Sequence, residues 1–182
     1  MPIVTGDLKF KKSLHSVAAG VDNGNTHDLE VNSLGLGVSA DELASGELND
    51  LFDAVSSSEA SDGRVEYRCI YVVNEHATLT LYDAKLFMAE NTASSESIVE
   101  IGLDPVAVNG EDSAIALVDE VDTNTDLSAV TWGDHPSFAG GLAIGNLAAG
   151  EQRAVWVRRT ILAGAGVANE SATVALRGDT DA

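Results

Sequence analysis

The chain has 182 residues, 45% of them hydrophobic and only 5% aromatic, with 29 acidic against 10 basic side chains and a formal charge of −19. That length and apolar content can bury a core without disulfides or a structural metal, which excludes a disordered chain. A surface this negative repels polyanions, which excludes ordinary nucleic-acid binding and electrostatic attachment to anionic lipid.

The N-terminal MPIVTGDLKFKKS has no apolar stretch behind its charges, and no later segment reaches the ~18 apolar residues of a membrane span, so the sequence reads as a soluble chain without an export signal. Residues 1–63 are irregular in pattern and are expected to form an N-terminal arm carrying one short helix. A strand-like segment runs from Leu8 to Leu14, followed by the Gly/Asn/Asp-rich AAGVDNGNTHD. In SADELASGELNDLFDAVSSSEASDG, Leu43, Leu48, Leu51, Phe52 and Val55 fall near helical spacing, with Ser39 as a cap before Asp41 and Glu42. The helix is expected to start late or break at Gly46, and to end in the serine run before the Asp62-Gly63 turn.

The strongest β pattern follows. RVEYRCIYVVN places Val65, Tyr67, Cys69, Tyr71 and Val73 on one face and Glu66, Arg68, Ile70 and Val72 on the other, a strand buried more on one side. After a connection at NEHA, alternation resumes through Leu79 and Leu81 and then through Ala84, Leu86 and Met88. The change of phase near Asp83 predicts a bulge, and the two strands read as hairpin-related. Six further candidates, SIVEIGL, SAIALVDEV, AVTWG, FAGGLAIGNL, RAVWVRRTIL and ATVALRG, are separated by turn residues. Together they predict an all-β fold, an antiparallel β-sandwich of Greek-key or jelly-roll type over residues 64–182.

Chemistry is sparse in the pattern. Asp122, Asn124 and Asp126 alternate like the first ligands of a calcium loop, but Leu127 stands where the loop needs Gly and Gly133 where it needs an acid, so a solvated acidic turn is the better reading. His15, His27, His76 and His135 are scattered without metal-ligand spacing, and there is no GxSxG elbow. GLGVSA and AGGLAIG match neither dinucleotide nor phosphate-loop spacing. Cys69, in an apolar strand, reads as a small core hydrophobe. No enzyme activity, cofactor or metal is expected.

Three of the four lysines, Lys9, Lys11 and Lys12, gather near the N-terminus and form a candidate partner contact; an ordinary solvated strand edge is the alternative. In VWVRRT, alternation puts Trp156 and Arg158 on one face and Val155, Val157 and Arg159 on the other. Trp156 and Arg158 form a second candidate interface, or a core tryptophan with a snorkelling arginine. The acid-rich, lysine-poor balance fits salty water, where screening weakens self-repulsion.

The stretch GELNDLFDAVSSSEASDGRVEYRCIYVVNEHATLTLYDAKLFMAENT resembles virion structural proteins of tailed phages. The shared features are a helix with N-x-x-F-D at Asn49, Phe52 and Asp53, an acidic turn, the Tyr67-Arg68-Cys69 strand, then Asn74 and a second strand. NLAAGEQRAVWVRRTILAGAGVANESATVALRGDT resembles the end of the same group, with a turn at Ala149-Gly150-Glu151 and the strand from Trp156 to Thr160. The resemblance implies a phage-encoded sandwich with a structural role. Its expected place is the outer surface of the head, as a decoration or cement protein that bridges subunits of the major capsid protein. It would act as a homo-oligomer, a trimer at threefold sites, with no nucleic-acid or membrane partner. A tail, baseplate or head-fibre component binding a host surface is the alternative. A sandwich-type carbohydrate hydrolase would need two inward carboxylates at fixed separation, and the acid-bearing segments here read as turns.

Overall fold

The computed structural model describes residues 2–16, 29–30, 33–47, 49–117, 119–121, 125–164 and 170–180. The long apolar run at Arg64–Asn74 forms an eleven-residue strand, β5, because its β-branched and aromatic side chains suit a pleated surface packed on both sides. Ile70 and Val72 point into one apolar cluster, and Cys69, Tyr71 and Val73 into another. Burial on both faces, against the mainly one-sided burial expected, follows from the strand's place in the middle of a sheet.

That sheet has five strands, formed by Val38–Glu42 (β4), Leu8–Ser13 (β1), β5, Gln152–Ile161 (β9) and Ser97–Leu103 (β7), in that spatial order. A second sheet has the order Thr173–Thr180 (β10), Leu81–Glu90 (β6), Leu142–Leu147 (β8). His15–Ser16 (β2) and Leu29–Glu30 (β3) make a separate short pair. Every pairing is antiparallel, and the two larger sheets face one another as a sandwich, as the alternation predicted. Between them lie Ile70, Val72, Leu86, Met88, Ile101, Leu147, Val155 and Val157; full burial of each such side chain contributes roughly 1.5–3 kcal/mol.

The outer face of the large sheet is also covered. Cys69, Tyr71 and Trp156 pack there beneath Leu34, Ile115, Leu117, Leu127 and Val130. The described parts of the segment from Asp104 to Gly133 therefore form a third, mostly irregular layer. It includes two of the predicted strands. Among the described residues, SAIALVDEV makes a single bridge, Gly35 to Ala116, and AVTWG another, Ile101 to Gly133. Their apolar alternation records burial on one side of an extended cover, not membership of a ladder.

Connectivity departs from the sequence reading. β5 pairs with β1 and β9, and β6 with β10 and β8, so the two are not a hairpin. From β5 to β10 each successive strand lies in the opposite sheet. The crossing after β5 is held by Asn74, whose fully buried amide donates to Leu79 O at 2.8 Å and Leu147 O at 2.9 Å and accepts from His76 N at 3.1 Å. The expected bulge is present: Asp83 has φ +47°, and pairing with β8 jumps between Leu81 and Ala84.

Part of the expected N-terminal arm belongs to the sandwich itself, since β1 pairs with β5 from Leu8 to Lys12 and β4 pairs with β1. The helix is displaced. Gly46 (φ +83°) and Asn49 (φ +58°) break any helix across residues 41–55. Leu43, Leu51 and Phe52 pack on the sandwich from irregular chain instead, while Leu48 lies outside the described residues. Helix α1 occupies Ser57–Asp62, inside the serine run. It is set by a capping box: Ser56 Oγ accepts from Glu59 N at 3.3 Å, and Glu59 Oε2 accepts from Ser56 N at 2.7 Å. No helix among the described residues is long and apolar enough to cross a membrane.

Gly102 lets the cover close over the sheet. It stands opposite Trp156, and a Cβ there would collide with Val130 Cγ1 and lie 2.9 Å from Thr131 O. Gly102→Ala is expected to lower unfolding free energy by roughly 1–3 kcal/mol in denaturant titrations. Gly6→Ala, with nothing within 4 Å of the added carbon, stays within about 0.5 kcal/mol of the parent.

Candidate functional site

Asp104 follows β7 and begins the cover layer, and its carboxylate is 1% exposed by residue. Oδ1 accepts from Val106 N at 2.9 Å and Ala107 N at 2.8 Å, an Asx-type turn at Asp104-Pro105. Oδ2 accepts from Ser113 Oγ at 2.5 Å and Trp156 Nε1 at 2.8 Å. Ser113 N donates to Tyr71 Oη at 2.8 Å, and Tyr71 donates to Leu36 O. Arg153 donates to the carbonyls of Ala107 and Asp104. Burial raises the Tyr71 hydroxyl and the Cys69 thiol well above their ordinary values, with the Asp104 charge adding to both shifts, so both remain protonated. The arrangement joins layers and presents no reactive thiolate.

A second network closes the sandwich beside α1. Carboxylate oxygens of Glu59, Glu66 and Glu120 lie within 4.8 Å of one another. Three guanidiniums neutralise them: Arg64 reaches Glu59 at 2.6 Å and Glu66 at 3.0 Å and also contacts Glu120, Arg68 contacts Glu120, and Arg159 meets Glu66 at 2.5 Å. Phe52 caps the group, its ring centroid 5.5 Å from Arg68 Cζ and 4.6 Å from Arg159 Cζ. Burial raises the Glu66 carboxyl, and the Arg159 charge opposes the shift. Each of the three acids is ion-paired with at least one guanidinium, so the cluster ties α1, β5 and β9 to Glu120.

The lysines singled out from the sequence each end on a carboxylate of their own chain: Lys9 on Glu42 at 3.0 Å, Lys11 on Glu75 at 2.5 Å and Lys12 on Asp50 at 2.6 Å. Trp156 is 0% exposed, so the core alternative describes it and it offers no surface to a partner. Arg158 shares its face, as alternation required, pairing with Glu100 at 2.5 Å and stacking 4.7 Å from the centroid of Trp132. Lys9, Lys11 and Lys12 stand on β1 and Trp156 and Arg158 on β9, with β5 between them. His76 Nδ1 accepts from Leu79 N at 3.0 Å, and His135 Nδ1 bonds with Gly140 O at 2.9 Å, both in loops. Asp122, Asn124, His27 and the side chains of His15 and Asp126 lie outside the described residues.

The remaining cations sit elsewhere, on the outer face of the three-stranded sheet. Lys85 of β6 and Arg177 of β10 are direct cross-strand partners. Arg177 Cζ lies 4.8 Å and Lys85 Nζ 5.5 Å from the ring centroid of Phe138, which meets Phe87 edge-on at 6.0 Å. Sequence reasoning missed this group because Lys85 and Arg177 are 92 positions apart, and only the β6–β10 pairing joins them.

No protein-family model matches the chain, and neither a curated protein nor a solved structure shows a significant match to it.

Two outcomes follow from these networks. Asp104→Asn turns an amide donor toward groups that already donate; it should cost at least about 2 kcal/mol and shift the emission of buried Trp156. The Glu59 carboxyl is held low by bonds from Ser56. For Asp50, burial pushes upward, but the Lys12 and Ala44 bonds outweigh it and hold the group low. A depressed carboxyl stabilises the fold above its unfolded pKa and loses that contribution as pH falls through the folded one. Thermal scans below about pH 4 should therefore show a smaller acid-induced loss for the Glu59→Gln/Asp50→Asn double variant than for the parent.

Proposed function

We propose that this chain is a non-enzymatic structural protein of a tailed-phage particle that decorates and cements the head by bridging subunits of the major capsid protein. The observation that carries the reading is the way the interior polar groups are used. Asp104, Tyr71, Ser113 and the Glu59/Glu66/Glu120 group with its three arginines are all bonded into joints between layers. Such joints make a stiff body suited to carrying load across a shell. The likeness of the segments around Tyr67-Arg68-Cys69 and Trp156–Thr160 to phage virion proteins supports the same reading. So does the charge of −19, which keeps closely spaced copies from aggregating. The outer face of the three-stranded sheet is its docking face, and copies associate as a closed trimer around threefold positions.

Stoichiometry in purified particles tests this. A ratio near one copy per capsid subunit, a trimer by light scattering, and heads that leak DNA on mild heating after its loss are the expected results. A few copies per particle, travelling with tails, would replace cementing with the tail or fibre alternative.

A further inference from the structure

The outer face of the β10-β6-β8 sheet carries two adjacent cations, Lys85 and Arg177, that have no carboxylate partner among the described residues. Of ten basic side chains, Lys9, Lys11, Lys12, Arg64, Arg68, Arg158 and Arg159 are ion-paired, and Arg153 donates to backbone carbonyls. Among the described residues Lys85 and Arg177 pair with no acid, including Asp83 and Asp179 of their own strands. Lys85 Nζ reaches only Ala139 O, at 3.3 Å. The chain holds 29 acids, yet these two like charges stand directly opposite in adjacent strands, an arrangement that is itself destabilising.

We infer that this surface docks a protein segment bearing carboxylates among apolar residues, a deepening that rests on the docking-subunit reading above. Phe138 holds both cations over one ring before any partner arrives, which reduces the side-chain ordering cost of binding. The Arg177 guanidinium keeps its fork for a bidentate carboxylate. Around the pair the sheet is low and apolar: Ala143 is the register partner of Lys85, and Ala175 that of Phe87. A partner backbone can therefore approach closely. Charge complementarity selects the occupant. Two cations on a chain of charge −19 can neutralise one or two carboxylates but cannot hold a polyphosphate against the repulsion of the rest, and the flanking Phe87 and Phe138 rings favour a protein surface over a free ion.

The test uses the full chain labelled with nitrogen-15 and two probes: the peptide acetyl-(Glu-Phe-Glu-Ala)3-amide and its counterpart with every Glu replaced by Gln. Saturable shifts of the amides of Lys85, Phe87, Phe138 and Arg177 with the Glu peptide are expected. They should weaken at high salt, be absent with the Gln peptide, and be about tenfold weaker in affinity for Lys85→Gln/Arg177→Gln. Both substitutions lie at the surface, so an unchanged melting temperature verifies the fold. Equal binding of the Gln peptide, equal affinity of the double variant, shifts located elsewhere, or inorganic phosphate binding the same residues as tightly as the Glu peptide would each overturn the inference. Binding to phage heads stripped of this protein separates it from the broader reading. If the parent binds heads and the double variant binds equally well, this surface is refuted and the particle role stands. If the parent takes the Glu peptide but ignores heads, the particle role is refuted and the surface stands.

Discussion

The carboxylate of Asp104 lies where β7 gives way to the cover, and it accepts from two backbone amides of its own turn, from Ser113 ahead in the chain and from the indole of Trp156 beneath. A buried carboxylate is tolerable only when its lone pairs are filled. In filling them the chain fixes the start of the cover, a second point nine residues on and the tryptophan on which it rests. Tyr71 extends the same arrangement to Leu36, so the segment at residues 33–36 is held against the cover from the other side. Without this node the large sheet would have one dry face and one wet one, and Cys69, Tyr71 and Trp156 would be exposed.

The Glu59/Glu66/Glu120 group plays the corresponding part at the far end of β5. The cover, after leaving the outer face, returns to the strand edge, where Tyr67 N donates to Glu120 O at 2.7 Å. The arginines of β5 and β9 then tie α1, the cover and Phe52 together. Three acids and three arginines in mutual contact sum to no charge, so the site is self-contained, in contrast to the cation pair on the outer face of the three-stranded sheet.

Much of this was readable from residues alone. Alternation located β5, β6, β7, β8, β9 and β10, and the phase change at Asp83 marked the bulge, because each is a local consequence of side chains alternating across a pleat. The Ser56-x-x-Glu59 box followed by Gly63 was also present in the sequence and positioned the helix better than the spacing of Leu43, Leu51 and Phe52 did, since that spacing came from packing on the core rather than from a helical turn. A buried indole needs an acceptor, so Trp156 signalled some partner, but nothing local pointed to Asp104, 52 positions away. Neither could pattern tell a cover from a ladder at Ile115 and Leu117, where burial on one side looks the same in both. The lysines at 9, 11 and 12 looked available because their carboxylates, at residues 42, 75 and 50, are distant in sequence.

The alternation of consecutive strands between sheets has a consequence for how the chain acquires its structure during synthesis. β5 and β7 are both completed by β9, and β6 by β8 and β10. A nascent chain that has emerged through Leu103 can pair β5 only with β1, and its other edge, carrying Cys69 to Val73, has no neighbour. Pairings of this sequence separation close slowly. Until Gln152–Ile161 leaves the ribosome the five-stranded sheet stays split, with β4, β1 and β5 on one side of the gap and β7 alone on the other, and chaperone occupancy should be greatest in that interval.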